Sequence, residues 1–250
     1  MKPLILFVHI PKTAGTTMYR IMEDQYKLRT WVWTIDKKMQ DAINMISADP
    51  TCYIQCFYGH FTYGIHNYFN RPCNYMTFLR DPIERVISEY YFLLMEPSHG
   101  PYVSKQIRTN NMTLMDYVSS KDEAFVRRTN NMQTSFISGK SNPQHADLQL
   151  AKENLRKHFT FGIAERFNES LFLFQKKFGW QSIQRYHPFF KNPSRPPKNQ
   201  LSSEVLQKIK EKNELDILLY DEACMLFQKR IDSLDKASKK EMQQFLKNLK

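Results

Sequence analysis

The chain predicts an α/β fold: a central parallel β-sheet flanked by helices, with an anion-gripping loop at the end of its first strand. Three observations carry this. Leu4–Ile10 is an apolar run interrupted only by His9, which suits a strand buried on both faces. Similar runs at Cys52–Tyr58, Tyr75–Leu79 and Phe159–Ile163 alternate with segments of helical period. The first run breaks into Pro11-Lys12-Thr13-Ala14-Gly15-Thr16-Thr17, which joins it to a helical stretch.

Within that loop Pro11 ends the strand ladder, Gly15 permits a backbone conformation closed to other residues, and Thr16 or Thr17 can cap a helix running through Met18, Ile21 and Met22. Loop N–H groups and the positive end of the helix dipole together make a site for phosphate-like anions. Lys12 adds a point charge and the three threonines add donors. The order is not GxxxxGK[ST], which places its lysine after the second glycine. A surface turn with an incidental lysine would read the same way, so a second motif has to decide.

Further helices are expected near 17–27, 36–48, 82–95, 112–119, 145–157, 169–178 and 202–232. KNPSRPPKNQ at 191–200 reads as loop because prolines interrupt it. Residues 97–144 look polar and irregular, with asparagine pairs at 110–111 and 130–131, and are a candidate lid or substrate-binding insertion. Residues 233–250 read as a basic C-terminal tail whose lysines form a solvated helix face. The whole of 1–250 is expected to be one domain.

At 250 residues, 42% hydrophobic and 14% aromatic, the chain can bury a substantial core and is not a disordered one. A formal net charge of +11 favours acidic partners: nucleic acid, a sulfated or carboxylated glycan, a membrane surface or a nucleotide. The aromatics fall at core-type positions, so no nucleic-acid partner is expected. No leader and no 18-residue apolar span is legible, which predicts a cytoplasmic protein without a transmembrane segment. Four cysteines, at 52, 56, 73 and 224, form no CxxC pair and are expected to be free thiols.

The second motif is TFLRDPIERVISEYYF, residues 77–92. Arg80 sits at the carboxyl end of a buried-type strand, and Asp81, Pro82 and Glu84 fall at the N-cap, N1 and N3 positions of the following helix. Val86, Ile87, Tyr90, Tyr91 and Leu94 form the apolar face, leaving Ser88 as a hydroxyl about two turns in. A guanidinium there suits a phosphate monoester, with an ion pair to Glu84 as the competing use. Ligands of open α/β sheets gather beyond the carboxyl ends of strands, where Lys12 and Arg80 both fall.

The pairing of HIPKTAGTT with TFLRDPIERVISEYYF resembles the 5′-phosphosulfate loop and 3′-phosphate motif of sulfotransferases that use 3′-phosphoadenosine-5′-phosphosulfate (PAPS). HIPKT and LRDPxERxxSxYY are most similar to the heparan sulfate 2-O- and 6-O-sulfotransferase branch. The likeness is strong over 4–95, with weaker echoes at 130–139, 159–179 and 201–223. It implies a P-loop-like nucleotide-binding core. It also implies that Lys12, Thr13, Ala14, Gly15, Thr16 and Thr17 hold the phosphosulfate, and that Arg80 and Ser88 hold the 3′-phosphate. His60, in FYGHF, matches the position of the catalytic base.

The implied reaction moves a sulfuryl group from PAPS to a hydroxyl of a carbohydrate or other small acceptor, releasing the doubly phosphorylated nucleotide PAP, with no metal required. Without an anchor or a disulfide setting, a bacterial-type cytosolic enzyme with a smaller acceptor is expected rather than a polymer-modifying one. A P-loop kinase and a non-catalytic basic glycan- or nucleic-acid-binding module are the rival classes. Arg127 and Arg128 are candidates for an anionic acceptor or the nucleotide, Lys198 for closing over the nucleotide, and His66 for touching substrate. His9 is expected to be a packing residue behind the site, and His99, His145, His158 and His187 have no assigned partner.

Overall fold

The computed structural model describes residues 3–27, 30–32, 39–49, 51–181, 183, 186 and 195–249. Strands β1 (Leu4–Val8), β2 (Thr30–Val32), β3 (Cys56–Gly59), β4 (Cys73–Leu79) and β5 (Phe159–Ile163) form one sheet in the order β2-β3-β1-β4-β5. Every pairing is parallel. Every residue of β1 and β3 is buried, as a sheet covered on both faces requires. The described helices are α1 (Gly15–Tyr26), α2 (Met39–Ser47), α3 (Pro82–Met95), α4 (Pro101–Thr109), α5 (Leu114–Ser119), α6 (Glu123–Thr129), α7 (Met132–Ser138), α8 (His145–Lys157), α9 (Phe167–Phe178), α10 (Ser203–Lys212), α11 (Glu214–Asp232) and α12 (Lys236–Asn248). None is long and apolar enough to cross a membrane.

Several expectations are corrected. β3 starts at Cys56 rather than Cys52, because the Asp49 carboxylate gathers the N–H groups of Thr51 and Tyr53 into a turn and Cys52 takes a positive φ. β2 has no counterpart among the expected strands. Residues 97–144 are not irregular: they hold α4 to α7. Their asparagine pairs are the joints, since Asn110 and Asn130 are C-caps while Asn111 and Asn131 adopt positive φ. Val103, Ile107, Tyr117, Val118 and Phe125 from this region build a second core with Val86, Ile87 and Leu93 of α3.

The helix expected over 202–232 divides at Asn213, a fully buried side chain whose amide donates to the carbonyls of Thr129 at 2.6 Å and Ile209 at 2.9 Å. The basic tail is a docked amphipathic helix, α12, which buries Met242 and Phe245 in the main core and leaves its lysines outside. Residues 36–38 of the expected second helix and 191–194 of the proline-rich stretch lie outside the described residues, and Lys198–Gln200 forms a short 3₁₀ turn.

Register positions the site. Val8 pairs with Gly59 on one side and Thr77 on the other, so the carboxyl ends of β3, β1 and β4 lie side by side. From β1 the chain leads to β2 and β3 on one side, whereas from β4 it leads to β5 on the other. Such a reversal opens a crevice between the ends of β1 and β4, the usual ligand position in this architecture.

Candidate active site

A cleft of about 1000 Å³ opens beyond these strand ends, and Lys12, Ala14, Gly15, Thr16, Thr17, His60, Arg80 and Ser88 all line it. Thr13, also expected there, turns away: its buried hydroxyl donates to the Ile10 carbonyl at 2.8 Å and braces the loop. The loop differs from expectation in two further respects. Positive φ falls on Lys12 (68°) and Ala14 (70°), not on Gly15. Gly15 is needed for space, because a Cβ there would lie 1.9 Å from the His9 ring. Neither Thr16 nor Thr17 caps α1; its N-cap is Ala14, with no side-chain cap. The helix therefore presents an uncapped, partially positive N-terminus to the cleft.

The Lys12 ammonium stands 3.6 Å from the centroid of the Phe92 ring, a cation–π contact. Burial pulls its pKa down to about 8; Glu89 opposes this, and the charges of Arg80 and Arg195 reinforce it. Arg80 Nη1 donates to the Lys12 carbonyl at 3.0 Å. The competing ion pairs exist but are long, 3.6 Å to Glu84 and 3.8 Å to Glu165. Glu84 itself is also paired with Arg195. The Ser88 side chain makes no hydrogen bond among the described residues, so its hydroxyl is available to a ligand.

His60 follows β3 directly. Its Nδ1 lies 2.6 Å from the His9 carbonyl, and a carbonyl only accepts, so Nδ1 carries the proton and Nε2 is left as an acceptor. The ring is exposed, but into the cleft, where crowding protein still desolvates an imidazolium and lowers its pKa. A neutral imidazole with an open Nε2 is the form a general base requires.

The remaining candidates separate. Arg127 and Arg128 both line the cleft. Arg127 pairs with exposed Glu123 at 2.8 Å, whereas Arg128 pairs with buried Glu89 at 2.6 Å. Lys198 is 3.3 Å from Asp81 and does not line the cleft. His66 also lies outside it, with its Nδ1 2.8 Å from the Tyr75 hydroxyl. His99 lines the cleft and packs edge-on against Phe92, while His145 and His158 are remote, beside Glu214 and Tyr63. His187 lies outside the described residues.

Sequence reasoning missed three contributors. Glu89 links Arg85, 2.7 Å away and fully buried, to Arg128. Gln133 brackets the Arg80 peptide, its Oε1 accepting from Arg80 N–H at 2.9 Å and its Nε2 donating to the Arg80 carbonyl at 2.8 Å. Phe92 supports Lys12. A glutamate one position after Ser88 in the apolar face of the second motif was the available signal for Glu89; no local pattern marks Gln133.

The chain is 24% identical to heparan-sulfate 6-O-sulfotransferase 1-B of Danio rerio, over 91% of this chain and 66% of that protein. It is 25% identical to the 1-A form of the same organism over 88% and 64%, and 24% identical to heparan-sulfate 6-O-sulfotransferase 1 of Homo sapiens over 91% and 66%. The chain thus spans just under two thirds of the length of these relatives. Among solved structures, the crystal structure of mouse sulfotransferase SULT7A1 complexed with PAP superposes loosely, with TM-score 0.42 and 12% identity, over 87% of this chain and 66% of that one. The model of the sulfotransferase family matches residues 2–221, and the chain belongs to that family.

Proposed function

We propose that the protein is a PAPS-dependent O-sulfotransferase whose acceptor is a carbohydrate hydroxyl. The observation that carries this is the meeting of Lys12, Arg80, the uncapped start of α1 and a base-competent His60 in one cleft. PAPS, when bound, supplies a sulfuryl group activated on a phosphate leaving group. The residues fit it: α1 and Lys12 offer N–H donors and a cation to the phosphosulfate, while Arg80 and the unengaged Ser88 hydroxyl offer a fork and a donor to the 3′-phosphate.

The chain's own residues then divide the work. His60 Nε2 accepts the acceptor hydroxyl's proton as that oxygen bonds to sulfur. Lys12 stabilises the negative charge that grows on the bridging oxygen as the S–O bond to phosphate breaks, an interaction stronger in the transition state than before it. Arg80 fixes the far end of the donor and so the line of attack. The names of the heparan-sulfate relatives support a glycan acceptor, and Arg127 and Arg128 on the cleft wall suit an anionic one.

Incubation with radiolabelled PAPS and panels of oligosaccharides, lipid alcohols and small alcohols tests the reading. Label should pass to an oligosaccharide hydroxyl, persist in chelator and vanish in His60→Ala. Phosphoryl transfer from ATP that a chelator abolishes would overturn it.

A further inference from the structure

His9 lines the cleft, yet the proposed reaction gives it no part. Register places it directly opposite His60, one position beyond the Val8–Gly59 pair, and its N–H continues the ladder to the Gly59 carbonyl at 2.8 Å. The two imidazoles stack at 4.4 Å with planes 24° apart. His9 thus touches His60 twice, through its carbonyl at Nδ1 and through its ring face. The first contact sets the tautomer, and the second sets the plane.

The His9 ring is itself held. The missing Cβ of Gly15 gives it room on one side, and Tyr58 leans on it at 5.1 Å. Neither of its ring nitrogens makes a hydrogen bond among the described residues, so its contribution is its face rather than a proton path. Burial, with the charges of His60 and Lys12, keeps it neutral. The groups that bear on His60 from elsewhere are Glu89 of α3, Arg128 of α6 and His99 between α3 and α4.

We propose that His9 is a positioning residue whose wedged ring fixes the plane in which His60 presents Nε2 to the acceptor hydroxyl. This rests on the reading of His60 as the base. A misplacement of about 1 Å can cost on the order of 10²-fold in rate, so a stacked support matters. His9→Phe keeps a flat ring and removes both nitrogens, whereas His9→Ala removes the support.

The test compares both variants for kcat, KM, PAP affinity and the His60 ring nitrogens by NMR. His9→Phe should keep kcat within about threefold and His60 protonated at Nδ1. His9→Ala should lose roughly tenfold or more in kcat while binding PAP within about threefold, with the acid limb of its pH profile moved upward as His60 becomes better hydrated. Wild-type kcat in His9→Ala, or a loss in His9→Phe as large as in His9→Ala, overturns the proposal. If His9→Ala does not fold by circular dichroism, His9→Phe decides alone, and a folded His9→Ala that does not bind PAP overturns the proposal. If His60→Ala keeps full turnover, the base assignment fails instead, and the NMR comparison still shows whether His9 holds the ring.

Discussion

Arg80 reaches across the crevice between β4 and β1 and donates to the carbonyl of Lys12 at 3.0 Å. The contact does two things at once. It anchors the positive-φ turn at Lys12, and it ties together two strand ends whose cations line one cleft. Burial lowers the pKa of both groups, the Arg80 charge adds to the lowering at Lys12 and the Arg195 charge to that at Arg80, so both cations favour an arriving anion.

Removing the Lys12 ammonium should strike the chemical step. Lys12→Ala is expected to lower kcat by about 10²–10³-fold, the usual loss for one transition-state donor. Steady-state turnover checks this; a change confined to KM would move Lys12 out of the transition state.

The pH profile follows from two groups. His60 must be neutral and its pKa is lowered, so kcat/KM should rise on a limb below the ordinary imidazole value. Lys12 must be charged and its pKa is about 8, so kcat/KM should fall as pH rises through that value. A bound anionic donor stabilises the ammonium, so the alkaline limb of kcat should lie higher than that of kcat/KM. Coincident alkaline limbs would contradict the placing of Lys12 on the donor.

Glu89 is the buried keystone of an Arg85–Glu89–Arg128 network. Glu89→Ala strands the fully buried Arg85 guanidinium without its carboxylate and should cost about 3–5 kcal/mol in urea unfolding. A loss under about 1 kcal/mol would mean the network relaxes into water.

Gln133→Ala should act at a distance on the nucleotide. It leaves both polar groups of the Arg80 peptide without the Gln133 partner, loosening the guanidinium's base. PAP affinity should drop about tenfold, the worth of roughly one net hydrogen bond, with a smaller change in kcat. Unchanged affinity would show that the β4 end is rigid without the bracket.

The parts legible in the sequence were those written in local patterns. β1, β4 and β5 are buried runs with no competing period, and the Asp81 cap of α3 sits as its spacing requires, accepting from the N–H groups of Ile83 and Glu84. The three-residue β2 is too short to carry a pattern. The helices of 97–144 run only six to nine residues, too short for their period to stand out, and their asparagine joints read as loop. The break at Asn213 depends on tertiary partners, Thr129 among them, that no local window contains. At the site, residue types and positions could be read, but what Gly15 makes room for and where the Thr13 hydroxyl points are set by His9 and Ile10 in three dimensions.

Calorimetric titration with PAP and with adenosine 5′-monophosphate, which lacks the 3′-phosphate, asks whether Lys12 and Arg80 hold opposite ends of one nucleotide and needs no acceptor. Wild type should bind PAP more tightly, and Arg80→Ala should lose roughly 10–100-fold for PAP, the range of charge-assisted hydrogen bonds, with a clearly smaller loss for the monophosphate that reports only the loosened Lys12 turn. Equal PAP binding by wild type and Arg80→Ala, or no PAP binding at all, would contradict that arrangement.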